Sequence, residues 1–174
     1  MLQREIEMDI LWEELTYGLP DTRQLIHVLI RLSAAVILGA IIGLQREATG
    51  KPAGLRTHIL VTLGTTVFVL ACNGFGMSSD GLSRVIQGII TGIGFIGAGS
   101  ILKLSEERDI KGLTTSASVW MAAAVGVAVG LGVLGLALLA TMTTLIVLTL
   151  AGKLEFQTGN KRVVKADEND ENRK

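Results

Sequence analysis

Residues 114–152, TTSASVWMAAAVGVAVGLGVLGLALLATMTTLIVLTLAG, contain no charged side chain. At a rise of 1.5 Å per residue, a single helix of this length would be about 58 Å long, nearly twice the ~30 Å hydrocarbon core of a bilayer. We therefore predict two membrane spans here, at about 114–130 and 134–151. The turn between them is expected near Gly130, Gly132 and Gly135.

Three further apolar segments precede this run, and each of them carries at most one arginine as its formal charge. They lie at about residues 24–44, 57–73 and 84–102. The predicted fold class is therefore all-α, a polytopic transmembrane helical bundle of about five spans within residues 24–152. Residues 1–23 are predicted to form an extracytoplasmic N-terminal segment, and residues 153–174 a disordered cytoplasmic tail.

The composition narrows the class of protein. Of 174 residues, 49% are hydrophobic and 18% are charged, whereas a soluble domain carries about 25% charge and a disordered chain is less hydrophobic and more charged. The formal net charge is zero, so the chain has no general attraction to nucleic acid. The single cysteine, Cys72, excludes an intrachain disulfide. No catalytic or metal-ligand motif is present, and we predict neither an enzyme nor a bound cofactor.

Basic side chains concentrate in the loops after the first and third predicted spans and in the tail after the fifth. With five spans, these three segments lie on the same side of the membrane. By the positive-inside rule that side is cytoplasmic, which puts the N-terminus outside and the C-terminus in the cytoplasm. The connecting residues on this side include Arg46, Glu47, Lys51, Arg56, Thr57, Lys103, Lys111 and Thr114. Arg46 and Glu47 can be interpreted as an anchor on anionic lipid or as a docking patch for another protein, and Thr114 or Thr115 as the N-cap of the fourth span.

Polar residues recur at helical spacing in three of the spans, and such residues tend to face the interior of a bundle. We predict a polar cluster near the outer membrane face, in which Asp80 pairs with Arg31; in the alternative, Arg31 and Arg84 reach lipid headgroup phosphates. The cluster comprises His27, Arg31, Asn73, Asp80, Arg84 and Gln87. The sequence is also compatible with a path between protomers that Thr62, Thr66 and Thr91 would line. The two histidines, His27 and His58, are interpreted as buried hydrogen-bonding groups.

Glycines recur in three of the predicted spans. Residues 92–97 match the G-x-G-x-x-G pattern, but no strand precedes them, which argues against nucleotide binding. The same glycines form small-xxx-small pairs that let helices approach closely, and those in residues 92–99 could instead mark a broken helix that lines a cavity. The glycines assigned to helix packing are Gly39, Gly43, Gly88, Gly92, Gly94, Gly97, Gly99, Gly126 and Gly130.

Four segments of the chain closely resemble the MgtC/SapB membrane family. They are GAIIGLQREA at 39–48, GKPAGLRTHILVTLG at 50–64, QGIITGIGFIGAGSILK at 87–103 and KGLTTSASVWMAAAVGVAVG at 111–130. The resemblance covers about residues 31–150, and the order AGLRT, TGIGFIGAG, KGLTT is specific. It implies about five spans, a multi-pass location in the bacterial inner membrane, and a role in Mg²⁺ homeostasis and survival under Mg²⁺ limitation.

Two mechanisms are compatible with that resemblance. The first is a regulator or adaptor of other membrane machinery, which the lack of acids deep in the spans favours. The alternative is a Mg²⁺ transporter or channel formed by an oligomer, which the aligned polar stripes favour, with Mg²⁺ as ligand or transported ion. The expected partners are the lipid bilayer, a second copy of the chain and another membrane protein complex, and nucleic acid is not expected.

Overall fold

The computed structural model describes residues 2–16, 21–74, 76–103, 110–150 and 152. The elements in chain order are α1 (Leu2–Thr16), α2 (Thr22–Ala48), α3 (Leu55–Gly74), α4 (Ser79–Gly99), β1 (Leu102–Lys103), β2 (Ile110–Lys111), α5 (Leu113–Gly130) and α6 (Leu134–Leu150). The residues of the predicted C-terminal tail, 153–174, lie outside this description.

Within the described residues, α2, α3, α4 and α5 are each long and apolar enough to cross a membrane. The apolar helix α6 is one residue shorter than α5, and at 1.5 Å per residue it is about 26 Å long. The prediction of a helical transmembrane bundle is confirmed. The side of the membrane on which each terminus lies stays a prediction.

The helix starts follow from local capping. The side chain of Asp21 accepts a hydrogen bond of 2.7 Å from the backbone N–H of Gln24 at the start of α2. Ser78 does the same for Gly81 at the start of α4, at 3.3 Å. Each cap satisfies one of the backbone donors that a helix N-terminus leaves without an intrahelical partner.

The connection between α4 and α5 differs from the prediction. The third span does not continue to residue 102, because α4 ends at Gly99 and the chain enters a hairpin in which β1 pairs antiparallel with β2. Thr114 and Thr115 are not the N-cap of the next span. Gly112 takes that position with a φ of +99°, a conformation that favours glycine, and α5 begins at Leu113. The turn at Gly132, with a φ of +83°, separates α5 from α6 where the glycines predict it.

The core forms where α2, α3 and α5 pack against one another, and α6 adds Ala137 to it. The apolar residues of this cluster are Ala35, Leu38, Ile42, Val125, Ala128, Val129 and Ala137. In the most apolar 18-residue stretch of α5, 56% of the residues are buried, whereas in the corresponding stretch of α4 only 11% are. The buried residues of α4 are Ile93 and Gly97. Thus α5 is the central helix and α4 is attached at the periphery.

Glycines set the close approach of the central helices. A Cβ placed on Gly39 would lie 2.9 Å from the carbonyl oxygen of His58, and one on Gly43 would lie 2.7 Å from the Cα of Leu55. Gly126 and Gly130 make equally close approaches from α5 to α3. Side chains larger than hydrogen would separate these backbones, as small-residue packing between membrane helices requires.

Candidate functional site

The two arginines of α2 contact opposite ends of α5. Arg31 donates from Nη1 to the carbonyl oxygen of Gly130 at 2.9 Å, and this carbonyl belongs to the last residue of α5, where no intrahelical donor is available. Arg46 donates from Nη2 to the hydroxyl of Thr115 at 3.3 Å, in the first turn of α5. The arginines are about 22 Å apart along α2, so α2 is tied to α5 at both ends.

Four buried polar residues form what we call the arginine–histidine cluster: Arg46, His58, Thr115 and Ser118. The His58 ring lies between the carbonyl oxygen of Gly54, 2.9 Å from Nδ1, and the hydroxyl of Ser118, 3.1 Å from Nε2. A carbonyl only accepts, so Nδ1 carries a proton, and in the neutral ring Nε2 accepts from Ser118. The same hydroxyl lies 2.8 Å from the carbonyl oxygen of Thr115. Its single proton therefore serves one of two acceptors.

The guanidinium of Arg46 is 2% exposed and, among the described residues, has no carboxylate within ion-pair distance. Its Nε and the neighbouring Oε1 of Gln45 are buried without a hydrogen-bond partner in that part of the chain. The Glu47 carboxylate accepts instead from the backbone N–H of Leu55, at 3.0 Å, and so caps the start of α3. The predicted lipid anchor or docking patch at Arg46 is therefore wrong, because the side chain turns into the bundle.

A threonine column on α3 ties the central helices together. Thr62 donates to the carbonyl oxygen of Ala35 on α2, and Thr66 donates to that of Gly126 on α5, both at 2.8 Å. Both threonines are fully buried. They do not line a path between protomers, since their hydroxyls are bound inside one chain.

The outward face of α4, which we define as Asp80, Arg84, Gln87 and Thr91, is exposed along its whole length. The spacing i, i+4, i+7, i+11 places these residues on the side of the helix opposite the packed residues Ile93 and Gly97. Thr91 donates to the carbonyl oxygen of Gln87 on its own helix, at 3.0 Å. The polar face of α4 thus points away from the bundle.

The predicted outer cluster is consequently not assembled within the described residues. Arg31 binds Gly130 rather than Asp80, because α4 packs on α5 through its apolar side. His27 and Asn73 are exposed as well. His58 is buried and hydrogen-bonded as predicted, whereas for His27 the prediction of burial is wrong.

The remaining predicted residues lie at the end of the bundle that contains Arg46. The side chains of Lys51, Arg56, Lys111 and Thr114 are exposed and that of Thr57 is half-buried, while the side chain of Lys103 is outside the described set. Of the glycines on α4, Gly97 contacts Ser116 of α5, whereas a Cβ on Gly88, Gly92, Gly94 or Gly99 would meet nothing within 4 Å. Sequence reasoning missed Ser118, whose signal is its spacing of three residues from Thr115 on one helix face.

The chemistry of these groups is that of hydrogen bonding rather than metal binding. No group of three or more His, Cys, Asp or Glu side chains that could hold a metal occurs in the described part of the chain. The grooves between the helices are apolar. A groove of about 540 Å³ lies between α5 and α6 and is lined mainly by alanine, leucine, methionine and threonine.

Comparison with known proteins places this architecture in a family. Residues 32–157 match the profile of the MgtC family. SrpB of Synechococcus elongatus is 43% identical over 138 residues, which are 73% of this chain and 75% of SrpB. YhiD of Escherichia coli K12, whose name describes it as a candidate magnesium transporter, is 41% identical over 140 residues, covering 76% of this chain and 64% of YhiD.

The protein MgtC of Salmonella typhimurium is 42% identical over 117 residues, or 67% of this chain, and the match spans about half of its length, 49%. No solved structure matches the chain at a significant level. The family profile covers most of the chain, and it includes α2 from residue 32 onward and all of α3 to α6, with the arginine–histidine cluster and the outward face of α4. The chain is therefore a multi-pass membrane protein that belongs to the MgtC family.

Proposed function

We propose that the protein is a regulator or adaptor in magnesium homeostasis in the bacterial inner membrane, acting through contact with other membrane machinery. Its relatives' names connect the family to magnesium, and the proposal carries that connection to this chain. The observation that supports a regulator is the state of the buried polar groups. In the described part of the chain they bind one another and backbone carbonyls, except for Nε of Arg46 and Oε1 of Gln45, and no carboxylate is among them.

A conduit for Mg²⁺ through one chain would need different interior groups. Mg²⁺ prefers oxygen ligands in octahedral geometry, keeps several waters, and is bound by carboxylates. The interior of the bundle offers instead the guanidinium of Arg46, the imidazole of His58 and threonine hydroxyls engaged with Ala35 and Gly126. A cationic arginine next to the route of a divalent cation would repel it.

A second candidate function is supported by one specific observation. The outward face of α4 carries Asp80, Gln87 and Thr91 on one side of a membrane-length helix. Several copies arranged around that face would surround a polar path, which is the arrangement of a channel or transporter built between protomers. Mg²⁺ transport by an oligomer is therefore the alternative.

Two measurements on the same protein separate the functions. Purified protein is reconstituted into liposomes containing a Mg²⁺-sensitive dye, and the gene is expressed in a bacterial host deleted for its own relative, grown at limiting Mg²⁺. A regulator restores growth and gives no dye response beyond that of protein-free liposomes. A protein-dependent flux would contradict it.

Matched threonine variants identify the origin of any flux. Thr91→Val removes a hydroxyl from the outward face of α4, and Thr149→Val removes one from α6 that also binds its own helix, 2.6 Å from the carbonyl oxygen of Leu145. Flux that is lost in Thr91→Val and kept in Thr149→Val would establish the transport alternative. Flux that is unchanged in both would contradict a path along α4.

A further inference from the structure

We propose that the outward face of α4 is a homodimer interface, occupied by the same face of a second copy in a parallel, two-fold symmetric pair. This pairing is compatible with the regulator proposed above, whereas the transport alternative would need the same face to line an open path between copies. It assigns an occupant to Asp80, Arg84, Gln87 and Thr91, which the structure leaves exposed on one side of a membrane-length helix.

The depth of these residues shows why lipid is an unsuitable neighbour. From the start of α4 at Ser79, Gln87 lies about 12 Å and Thr91 about 18 Å along the helix, so both lie within a ~30 Å hydrocarbon core. Thr91 satisfies its hydroxyl on its own helix, but the side-chain amide of Gln87 is exposed and has no hydrogen-bond partner within the described residues. In lipid a side-chain amide has no hydrogen-bonding solvent.

A second copy supplies the missing groups by symmetry. A two-fold axis along the membrane normal brings each residue of the face opposite its own counterpart or a near neighbour. The amide of Gln87 both donates and accepts, so two copies of it can bond each other. Asp80 and Arg84 are one turn apart, about 6 Å along the axis, so the long side chain of Arg84 in either copy can reach diagonally to Asp80 of the other. The two diagonal contacts bring opposite charges together across the axis.

The shape of α4 permits the approach. Gly94 and Ala98 continue the same row toward the other end of the helix, at i+14 and i+18 from Asp80, and small residues let helix backbones come close. Beside the face, a groove of about 410 Å³ lies between α3 and α4, floored by Gly88 and Gly92. Phe95, which is 84% exposed, lies about one turn beyond Gly92, beside the outward face. In a two-fold pair, Phe95 of each copy lies next to the groove of the other.

Cysteine crosslinking in native membranes tests which face pairs. In a Cys72→Ala background, Gln87→Cys and Thr91→Cys are compared with the equally accessible controls Leu60→Cys on α3 and Leu139→Cys on α6, each replacing a leucine that is 67% exposed. Oxidation is expected to give a crosslinked dimer at position 87 or 91 and monomer at both controls. Dimer at the controls alone would overturn the proposal, and so would crosslinking of α4 to a different protein.

Co-expression of two charge variants tests the pairing between chains. Asp80→Arg gives a face with two positive charges, and Arg84→Asp gives a face with two negative charges. For each variant alone, the amount of one tagged copy captured by a differently tagged copy should therefore fall about tenfold. Expressed together, the two variants restore opposite charges across the interface, and capture should return to the wild-type level. If the charges acted within one chain, co-expression would restore nothing, and that result would also overturn the proposal.

Discussion

The contact between α3 and α5 at Gly126 gives the sharpest test of the packing. A Cβ at this position would overlap the carbonyl oxygen of Thr62 and lie 2.9 Å from its Cα, whereas ordinary contacts begin at 3.4 Å. Both are backbone atoms and cannot rotate away, so Gly126→Ala must move α5 by about 1 Å from α3. That shift also lengthens the 2.8 Å hydrogen bond from Thr66 to the Gly126 carbonyl beyond hydrogen-bonding distance.

The magnitude follows from three effects. Overpacking of a close contact costs about 1–3 kcal/mol, and an interhelical hydrogen bond in a membrane contributes about 0.6 kcal/mol. Replacing glycine by alanine within a helix returns about 1 kcal/mol. Gly126→Ala should therefore lower the free energy of unfolding by about 1–3 kcal/mol, which corresponds to roughly 2–12 °C in the unfolding midpoint of a chain of this length.

The chain contains its own probe for this measurement. Cys72 is the single cysteine and is 5% exposed, so a thiol-reactive dye in detergent reports its exposure on heating. Gly64→Ala is the matched control. Gly64 lies on α3, in the same central helix pair, but a Cβ there would meet nothing within 4 Å. It should melt at or slightly above the wild type. A Gly126→Ala midpoint at or above that of Gly64→Ala would refute the packing assigned to α3 and α5.

The same thiol measurement checks three further variants. Gly132→Ala should lower the unfolding midpoint by the equivalent of about 1–3 kcal/mol. The reason is that φ is +83° at Gly132 and that a Cβ there would lie 2.5 Å from Nη2 of Arg31. An unchanged midpoint would contradict that strain. Thr62→Val removes a hydrogen bond to another helix and should cost about 0.6–1.7 kcal/mol, whereas Thr149→Val removes a bond within one helix and serves as control; equal midpoints would exclude a role for the interhelical bond. Arg46→Met should leave stability unchanged or raise it by about 1–4 kcal/mol, since a buried charge without a carboxylate is replaced by an apolar chain. A large fall would contradict this and show that the hydrogen bond to Thr115 outweighs the cost of burying the charge.

The spans could be predicted from the sequence because their signal is one-dimensional. Uncharged runs of membrane length, and the glycines at 130 and 132 between two of them, locate helices and a turn without knowledge of any neighbour. The close approach at Gly39 and Gly126 follows likewise from small residues four apart. The start of α5 could not be read in this way, because Gly112 takes its left-handed φ from the hairpin that precedes it.

The direction in which each polar face points was not predictable by the same means. Helical spacing shows that Arg84, Gln87 and Thr91 share a face, but which side of α4 meets α5 depends on the fit of Ile93 and Gly97 against it. The general rule that polar residues in spans face the bundle interior gives the wrong direction for α4 in a single chain. The burial of Arg46 is a similar case, since only the position of Thr115 turns that arginine inward.

The distribution of burial and polarity over the spans bears on mechanism. α5 is tied at both ends by the arginines of α2 and in its middle by Thr66, whereas α4 is attached through a narrow apolar strip at Ile93 and Gly97. Elements with few buried contacts open at lower free energy than the core, so under the proposed function a partner in the membrane would act on α4 before it acts on α5. A conduit places its polar groups inside and its apolar groups outside. Here the least buried span has its polar face on the outside, which is the arrangement that a protein working through contacts in the membrane requires.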